Sequence, residues 1–361
     1  MRRLLAALLC AALLLPAALI GAEGDKTVGQ TAEGETIAAP AVQRPEPQPW
    51  AKTGDIATEG FPALTEEGFL PDGEPEYVFE DAAQGVWRYA SQTLRVVIHR
   101  VETHEKSRKQ RNLIAEIFVR EGSEGFRMAA HAPGHLMDNQ DRYKEKQHQI
   151  AINHGMVFAL NTDFFIYRVS RRASAGSSYG VGVVIRDHEL LADFPIQQGS
   201  TRYPPLDMLA MFEDGDMQAY AANELTGRQL LEIGARDVLS FGPVLVRDGK
   251  LGTFDEIRGA TPQPRVGIGM FQPGHYLAII AEGRIKQSGG LSSREFAELF
   301  QSLGCGMAFN LDGGKTSSMV FMGKQLNQIT AAGVFNNARP QHEVMGIGST
   351  ELLKDMAEQG K

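Results

Sequence analysis

Short apolar segments that end in turn residues recur along most of this chain, and they constrain its fold more than any other feature. β-branched residues and partial alternation predict strands at 94–100, 113–120, 181–186, 208–212, 238–247, 276–281 and 307–311. Asp214-Gly215 and Asp248-Gly249 are predicted hairpin turns, because both pairs tolerate positive φ. A body built on β-sheets is therefore expected.

Two segments have the pattern of helices. Ser292 or Ser293 can cap a helix that runs through Leu303, and Gly304 then ends it. A shorter helix is predicted to start after Thr226. Because strands dominate and helices are few, the predicted class is α/β in its α+β form, with a mixed β-sheet body.

The first residues have the composition of a secretory signal. Arg2 and Arg3 precede an apolar run that extends to Ile20, and small residues follow it. Residues 1–22 are therefore predicted to be a signal peptide. The apolar run is interrupted by Pro16, so an uncleaved membrane anchor is the weaker alternative. With Cys305 as the single cysteine after such a leader, a secreted or envelope protein of a bacterium is expected.

Charge is unevenly distributed along the rest of the chain. Residues 23–80 contain 13 acidic and 3 basic residues, whereas residues 81–361 contain 31 of each. Residues 23–85 are acidic and proline-rich, which predicts a disordered arm, with a surface-covering arm as the alternative. The catalytic or binding domain is then expected at 86–352. The zero net charge of residues 81–361 gives no electrostatic basis for binding nucleic acid.

The most informative motif follows the predicted strand at 307–311. Its chemistry-bearing residues are Asn310, Asp312, Gly313, Gly314, Lys315, Thr316, Ser317 and Ser318. Paired glycines let the backbone turn tightly and bring amide groups near an anion. An ionised Asp312 cannot donate a hydrogen bond, so it indicates acid–base chemistry or a contact with a sugar hydroxyl. A strand-end turn in which Asp312 caps local amides is the alternative.

A nucleoside triphosphatase is disfavoured, because Phe309 stands where the phosphate-loop motif requires a glycine. Asn161 and Asp163 form a second polar motif at the end of an apolar run, and residues two apart on a strand share a face. Arg265 begins another predicted strand, where it can bind phosphate through two hydrogen bonds. A strand-capping turn and a surface arginine are the respective alternatives.

Metal binding has weak support in the sequence. His131, His135 and Asp138 have ligand-like spacing, but Pro133 and Gly134 prevent a regular helix there. No metal ligand is assigned and no cofactor motif is evident, although a divalent metal stays open as an alternative.

Several motifs, taken in order, resemble the phosphodiester glycosidase family. The matching blocks are Asn161-Thr162-Asp163-Phe164-Phe165, residues 241–250, Pro264-Arg265-Val266-Gly267-Ile268-Gly269, residues 290–304, Asn310-Leu311-Asp312-Gly313-Gly314 and Asn337-Ala338-Arg339-Pro340. The chain departs from the family where Lys315 replaces a third glycine and where Val266-Gly267 replaces Thr-Ala. If Lys315 needed positive φ, it would be strained by about 1–2 kcal/mol.

The resemblance implies hydrolysis of the bond between the anomeric carbon of a sugar and a phosphodiester oxygen, in an envelope or extracellular glycan such as an exopolysaccharide. Asp312 is expected to act as base or to stabilise the oxocarbenium-like transition state, with Asp163 as second carboxylate or as a group that orients the sugar. The remaining predicted substrate contacts are Asn161, Arg265, Asn310, Gly313, Gly314, Lys315, Thr316, Ser317, Ser318 and Arg339.

Two rival hypotheses remain at this point. A catalytically weak envelope protein could bind phosphate-containing glycans through the same cleft, and the replaced residues Lys315 and Val266 favour it. A structural scaffold would have no cleft that brings Asp163, Arg265 and Asp312 together. The hydrolase and the glycan-binding protein would both have a phosphodiester-linked sugar as their partner. No nucleic acid is expected as a partner, and membrane contact is expected only through an uncleaved leader.

Overall fold

A computed structural model describes residues 42–46, 59–105, 108–138, 140–163, 182–194, 206–254, 259–331, 334–335 and 338–359. The strands, numbered in chain order, are β1 Tyr77–Asp81, β2 Val86–Ala90, β3 Leu94–Glu105, β4 Arg108–Val119, β5 Arg127–Ala130, β6 Phe158–Leu160, β7 Gly182–Arg186, β8 Glu189–Phe194, β9 Asp207–Met211, β10 Met217–Tyr220, β11 Asp237–Phe241, β12 Val244–Arg247, β13 Lys250–Leu251, β14 Arg265–Gln272, β15 His275–Ala281, β16 Met307–Leu311, β17 Met319–Phe321, β18 Lys324–Gln325, β19 Thr330–Ala331, β20 Val334–Phe335 and β21 Glu343–Ile347. The α-helices are α1 Gln147–Asn153, α2 Gly227–Glu232, α3 Ser293–Ser302 and α4 Glu351–Gln359.

Three sheets form the body. The largest has nine strands in the order β1-β2-β3-β4-β15-β14-β16-β12-β13. A five-stranded sheet has the order β10-β9-β11-β7-β8, another has the order β18-β17-β6-β21-β5, and β19 pairs with β20. The predicted α+β body with few helices is confirmed. Its sheets were expected to be mixed, but the described strand pairs are antiparallel.

Both predicted hairpin turns are found, between β9 and β10 and between β12 and β13. The segment 238–247, expected as one strand, is two strands in two different sheets. β11 pairs with β9 and β7, whereas β12 pairs with β16 and β13. Gly242-Pro243 separates the two strands, and Pro243 has no amide hydrogen to donate to a continuous ladder.

Both predicted helices begin at the predicted caps. The Ser292 hydroxyl accepts a hydrogen bond from the Glu295 amide, and the Glu295 carboxylate accepts one from the Ser292 amide. The two bonds form a capping box before α3. Thr226 and Gln229 form the same arrangement before α2. Phe296 and Phe300 of α3 are completely buried against the nine-stranded sheet, so the helix is held by its apolar face.

The described body begins before residue 86, where the sequence analysis placed the domain boundary. β1 pairs with β2 along five residues, and Phe69 and Leu70 are buried. Arg95 Nη1 also donates to the Gly68 carbonyl oxygen at 2.6 Å. Residues 59–85 therefore pack on the sheet, because two large apolar side chains and an edge strand give this otherwise polar stretch something to bury.

Further toward the N-terminus, Arg44 contacts the β9–β10 hairpin. Its guanidinium donates to Asp214 Oδ2 at 2.7 Å and to Asp216 Oδ2 at 3.1 Å, and it lies 4.1 Å from the centre of the Phe212 ring. The predicted signal peptide, residues 1–22, lies outside the described residues. Within the part of the chain that the structure describes, no helix has the length and apolar character needed to cross a membrane.

We expect Leu70→Ala to lower the free energy of unfolding by about 2–4 kcal/mol, because truncating a core leucine loses burial and leaves a cavity. Leu70 is 3% exposed, whereas Leu352 is 53% exposed, so Leu352→Ala serves as the control and should change stability by less than about 0.5 kcal/mol. Urea unfolding measures both. If the two substitutions changed the free energy of unfolding equally, residues 59–85 would be a loosely attached arm and not part of the packed body.

Candidate active site

The ends of β6 and β16 meet although they belong to different sheets. Asn161 Nδ2 donates to the Asp312 carbonyl oxygen at 2.7 Å, and the Asp312 amide donates to the Thr162 carbonyl oxygen at 3.0 Å. Asn161 Oδ1 also accepts from the Ser318 amide at 2.9 Å. These bonds bring the two polar motifs of the sequence together.

The two glycines after Asp312 are required at their positions for different physical reasons. Gly313 lies against the β14 entry, where a Cβ atom would approach the Pro264 carbonyl oxygen to 2.4 Å. Gly314 has φ of 65°, the left-handed region that glycine enters at least cost, and its amide donates to the same carbonyl at 3.1 Å. One glycine therefore serves close approach and the other serves the turn.

Lys315 follows with no positive φ, so the strain considered for a lysine at this position does not arise. Its side chain is exposed, and it does not contribute to the described lining of the cleft below. The Lys315 carbonyl oxygen accepts from the Arg339 amide at 2.8 Å, which attaches the arginine block to this loop.

The three hydroxyl residues that follow are buried rather than presented to solvent. Thr316, Ser317 and Ser318 are at most 1% exposed. The Thr316 hydroxyl donates to the Gly313 carbonyl oxygen at 2.6 Å and closes the turn. Ser317 Oγ and Ser318 Oγ have no hydrogen-bond partner among the described residues. Polar atoms left in this way indicate a place where a ligand or solvent completes the structure.

A cleft of about 240 Å³ opens at the end of β16. Its described lining is Phe241, Gln263, Pro264, Arg265, Arg284, Asn310, Leu311, Asp312, Gly313 and Gly314. Asn310 Nδ2 donates to the Gly242 carbonyl oxygen at 2.9 Å, while its buried Oδ1 has no partner in the described residues. The cleft thus combines one carboxyl, two arginines and an amide oxygen.

Arg265 is held by carbonyl oxygens rather than by a carboxylate in the described structure. Its Nε donates to Leu291 O at 2.7 Å, and Nη2 donates to Gly259 O at 3.3 Å and to Thr261 O at 3.5 Å. Burial lowers the pKa of Arg265 to about 10, so it stays charged at neutral pH. A fixed cation of this kind is suited to an anionic ligand.

Arg284 was not predicted from the sequence. It follows the end of β15, and because β15, β14 and β16 are antiparallel neighbours, it lies at the same sheet edge as Arg265 and Asp312. Its φ is 59°, and its guanidinium donates to Gln263 Oε1. The feature of the sequence that could have indicated Arg284 is its position directly after a predicted strand and the Glu-Gly turn that closes it.

Asp312 is the most perturbed carboxyl of the cleft. Burial and, with a smaller effect, the nearby Asp163 charge raise the pKa of Asp312 to about 7, although the Thr316 hydroxyl, the Gly313 amide and the charge of Arg339 each lower it. Asp312 Oδ1 accepts from the Gly313 amide at 2.8 Å. The cleft therefore contains a carboxyl that changes protonation near neutral pH, as acid–base catalysis requires.

Asp163 lies deeper, in a buried cluster of charges. Arg186 Nη2 donates to Asp163 Oδ2 at 3.3 Å and to Glu343 Oε1 at 2.7 Å. Sequence reasoning missed Arg186 and Glu343. A glutamate that begins the apolar strand Val344–Ile347 was the available signal, because a buried carboxylate requires a partner.

The other departures from the family pattern have structural explanations. Val266 is buried in the core, so its position does not present a group to the cleft. A Cβ on Gly267 would lie 2.9 Å from the Phe300 ring and 3.0 Å from the Phe296 ring. The two large aromatic residues of α3 therefore occupy the space that a side chain would need. Phe164, Phe165 and Asn337, which belong to the matched blocks, lie outside the described residues.

Of the residues with metal-ligand-like spacing, His135 and Asp138 contact each other. His135 Nδ1 lies 2.7 Å from Asp138 Oδ2, and the His135 ring stacks on Tyr143 with centroids 3.8 Å apart. Within the described ranges, no group of three or more His, Cys, Asp or Glu side chains is placed to hold a metal ion.

The model of the phosphodiester glycosidase family matches residues 151–347, so this chain belongs to that family. A Bacillus subtilis relative, the SPbeta prophage-derived uncharacterized protein YomE, is 33% identical over 167 residues, which is 45% of this chain. The matched part is 25% of that relative, so this chain corresponds to about a quarter of its length.

Among solved structures, the fold is similar to the catalytic domain of zebrafish N-acetylglucosamine-1-phosphodiester alpha-N-acetylglucosaminidase, auto-inhibited by its pro-peptide. The TM-score is 0.55 with 16% identity, and the similarity covers 72% of this chain and 85% of the other. The family expected from the sequence motifs is confirmed.

We expect Asp312→Asn to stabilise the protein more at pH 8 than at pH 5. A raised pKa means that the folded state binds more protons than the unfolded state between about pH 4 and 7, so stability falls as pH rises through this window. The asparagine does not titrate and keeps an oxygen for the Gly313 amide. Its advantage should reach a few kcal/mol at pH 8, since one pKa unit corresponds to about 1.4 kcal/mol. Urea unfolding at the two pH values measures it, and a pH-independent difference would contradict it.

Gly313→Ala should destabilise the protein by about 2–3 kcal/mol, because the added Cβ displaces the Pro264 carbonyl or the loop itself. Gly134 is the matched control: it has no positive φ, and a Cβ there would meet nothing within 4 Å. Gly134→Ala should change stability by less than about 0.5 kcal/mol. Thermal or urea unfolding measures both variants. Equal stability of the two variants would contradict a close approach of the Pro264 carbonyl to Gly313.

Proposed function

We propose that the protein hydrolyses the bond between the anomeric carbon of a sugar and a phosphodiester oxygen. The observation that carries the proposal is the cleft in which Asp312, a carboxyl with a pKa of about 7, lies beside Arg265 and Arg284. A carboxylate suits the positive charge that develops on the sugar, and the arginines suit the departing phosphate. Membership in the phosphodiester glycosidase family supports the same reaction.

The proposed division of labour follows from the leaving group. A phosphate monoester leaves readily as an anion, so the arginines, with Arg339 near Asp312, contribute more than a general acid would. Ionised Asp312 stabilises the oxocarbenium-like transition state and accepts a proton from the attacking water. Water oxygen bonds to the anomeric carbon, the bond from that carbon to the phosphate oxygen breaks, and the proton passes to solvent. Asp163 is buried outside the described lining of the cleft, and its charge acts on Asp312.

The predicted substrate contacts divide into two groups under this proposal. Asn310, Gly313 and Gly314 line the cleft with the arginines. Asn161, Thr316, Ser317 and Ser318 support the loop from behind: the Asn161 and Thr316 side chains make hydrogen bonds there, and Ser317 and Ser318 do so through their main-chain groups. Lys315 contacts only the outer part of an extended anionic substrate, because its side chain is exposed.

We further propose that the protein is exported and acts on an envelope or extracellular glycan. The basic and apolar character of residues 2–20 supports export. A phosphodiester-linked glycan presents both groups that the cleft is suited to bind, the sugar and the phosphate.

The test is hydrolysis of a panel of synthetic sugar-1-phosphodiesters, with free sugar quantified, with and without chelator. We expect kcat/KM to rise with pH through an apparent pKa of about 7, because the ionised form of Asp312 is the active one. Asp312→Asn should lose at least about 100-fold in kcat. Asp355→Asn, an exposed position on α4, is the control and should keep full activity.

The outcome distinguishes the alternatives. Binding of a sugar-1-phosphodiester without turnover would support the glycan-binding protein instead. Activity that decreases above pH 7 would assign Asp312 the role of general acid. Loss of turnover only in the presence of chelator would add a metal ion to the mechanism.

A further inference from the structure

The cleft lies at one edge of the nine-stranded sheet, and the same edge continues beyond the cleft. β16, β14, β15 and β4 are consecutive strands there, and each is antiparallel to the next. The end of β16, the start of β14, the end of β15 and the start of β4 therefore lie side by side. Because neighbouring strands are about 4.8 Å apart, this edge extends about 14 Å from β16 to β4.

Arg284 connects the cleft with the turn that follows β15. A Cβ atom on Gly314 would lie 3.4 Å from Arg284 Nη1, so the guanidinium is close to the loop after Asp312. Arg284 Nε also donates to Gln263 Oε1 at 2.9 Å, and Gln263 lines the cleft. Lys286 follows two residues later and is exposed. A second cation thus follows directly after the arginine that lines the cleft.

The turn that carries Lys286 is joined to the start of β4. The Gly289 amide donates to the Lys109 carbonyl oxygen at 3.0 Å. The Arg111 amide donates to Ser288 Oγ at 3.0 Å. Lys109 is exposed, as Lys286 is. The two lysines therefore lie on neighbouring backbone segments, and these hydrogen bonds fix the position of one segment relative to the other.

Two acids close to these lysines are already paired with arginines. Glu282 is 2% exposed, and its Oε2 accepts from Arg111 Nε at 2.5 Å. Glu295 Oε1 accepts from Arg108 Nη1 at 2.6 Å. Each carboxylate is thereby balanced by a guanidinium on β4. These acids consequently do not neutralise the lysines of the same edge.

The lysines have no acidic partner in the part of the chain that the structure describes. Neither Lys109 nor Lys286 forms a salt bridge there. The carboxylate of Glu102, on β3, lies 3.7 Å from Arg100 and from Arg111. A lone exposed ammonium is ordinarily only solvated. Two that continue the cations of a cleft along one sheet edge produce a positive potential next to that cleft, which attracts further anionic groups.

We propose that Lys286 and Lys109 form an outer subsite for a second phosphate of the substrate. The substrate class is then a glycan that carries phosphodiesters on successive sugars, rather than a single phosphodiester-linked sugar. The inference rests on the proposed function, since the first phosphate is the one that departs from the cleft. Arg284 lies between the two phosphate positions.

The position of the outer subsite favours a glycan over a nucleic acid. The subsite continues a cleft in which a sugar carbon is attacked, so one chain has to supply both the sugar and the second phosphate. Residues 81–361 carry no net charge, whereas proteins that bind nucleic acid through its phosphates have a basic excess. A few cations in one row are suited to a substrate with widely spaced phosphates.

The test variant is Lys109→Gln/Lys286→Gln, which removes two charges at exposed positions and should leave the fold intact. The matched control is Lys250→Gln/Lys324→Gln, which also removes two exposed charges. Lys250 lies on β13, the last strand of the sheet on the side away from β4, and Lys324 lies on β18 of another sheet. The substrates are a sugar-1-phosphodiester with one phosphate and a synthetic trimer of the same unit.

We expect the test variant to lose about 5–20-fold in kcat/KM on the trimer and less than about twofold on the single unit, because the lysines contact only the additional phosphate. The loss should be in KM and should decrease in 0.5 M salt, since salt screens exposed charges. The control should cleave both substrates as the wild-type protein does. Unchanged cleavage of the trimer by the test variant would overturn the proposal.

A binding measurement needs no turnover. The probes are non-cleavable phosphonate analogues of the single unit and of the trimer, titrated by calorimetry. We expect the wild-type protein to bind the trimer more tightly than the single unit, and the test variant to lose this preference. Equal affinity of the wild-type protein for the two probes would overturn the outer subsite. If neither substrate is cleaved, the proposed function fails, and a trimer preference that depends on the lysines would still support the subsite.

A DNA oligonucleotide with the charge of the trimer is the competing polyanion. We expect it to bind at least about 10-fold more weakly than the trimer analogue, because it offers no terminal sugar phosphate to the cleft. If the DNA binds as tightly and is weakened equally by Lys109→Gln/Lys286→Gln, the lysines bind polyanions in general, and the assignment to a glycan is wrong.

Discussion

The site depends on the hydrogen bonds that join Asn161 and Thr162 to Asp312. Asn161 Nδ2 reaches the Asp312 carbonyl and the Asp312 amide reaches the Thr162 carbonyl, so the end of β6 in one sheet is joined to the end of β16 in another. Each end is otherwise a place where backbone groups lose their ladder partners. Satisfying those groups mutually brings Asp163 and Asp312, 149 residues apart in the numbering, to one place.

The electrostatics of the site oppose its stability. Burial raises the pKa of Asp312 to about 7 and lowers the pKa of Arg265 to about 10, so each charge is maintained at a cost in folding free energy. The protein offsets part of that cost with neutral acceptors, since carbonyl oxygens surround Arg265 and two more hold Arg186. Arg265, whose described acceptors are carbonyl oxygens, thus has its charge available to an anionic substrate, whereas Arg186 is paired with Glu343.

The departures from the family pattern show how local space sets residue identity. Phe296 and Phe300 occupy the volume above β14, and therefore Gly267 stands where a larger residue is usual. Lys315 replaces a glycine without strain, because Gly314 alone takes the left-handed φ of this loop. Neither change alters the described lining of the cleft, and both therefore weigh less against activity than the sequence comparison suggested.

Local patterns in the sequence indicated many of the strands, two of the helices with their caps, the hairpin turns, the α+β class and the strand-end motifs, because alternation, capping and turn chemistry act over a few residues. The sequence also identified Asp163, Arg265 and Asp312 as candidates. Only the tertiary structure decided that 238–247 divides between two sheets, that residues 59–85 pack on the body, that Arg284 lines the cleft, and that Arg186 bridges Asp163 and Glu343. Those outcomes depend on which strands become neighbours and on which charges are buried together, and contacts between distant segments decide both.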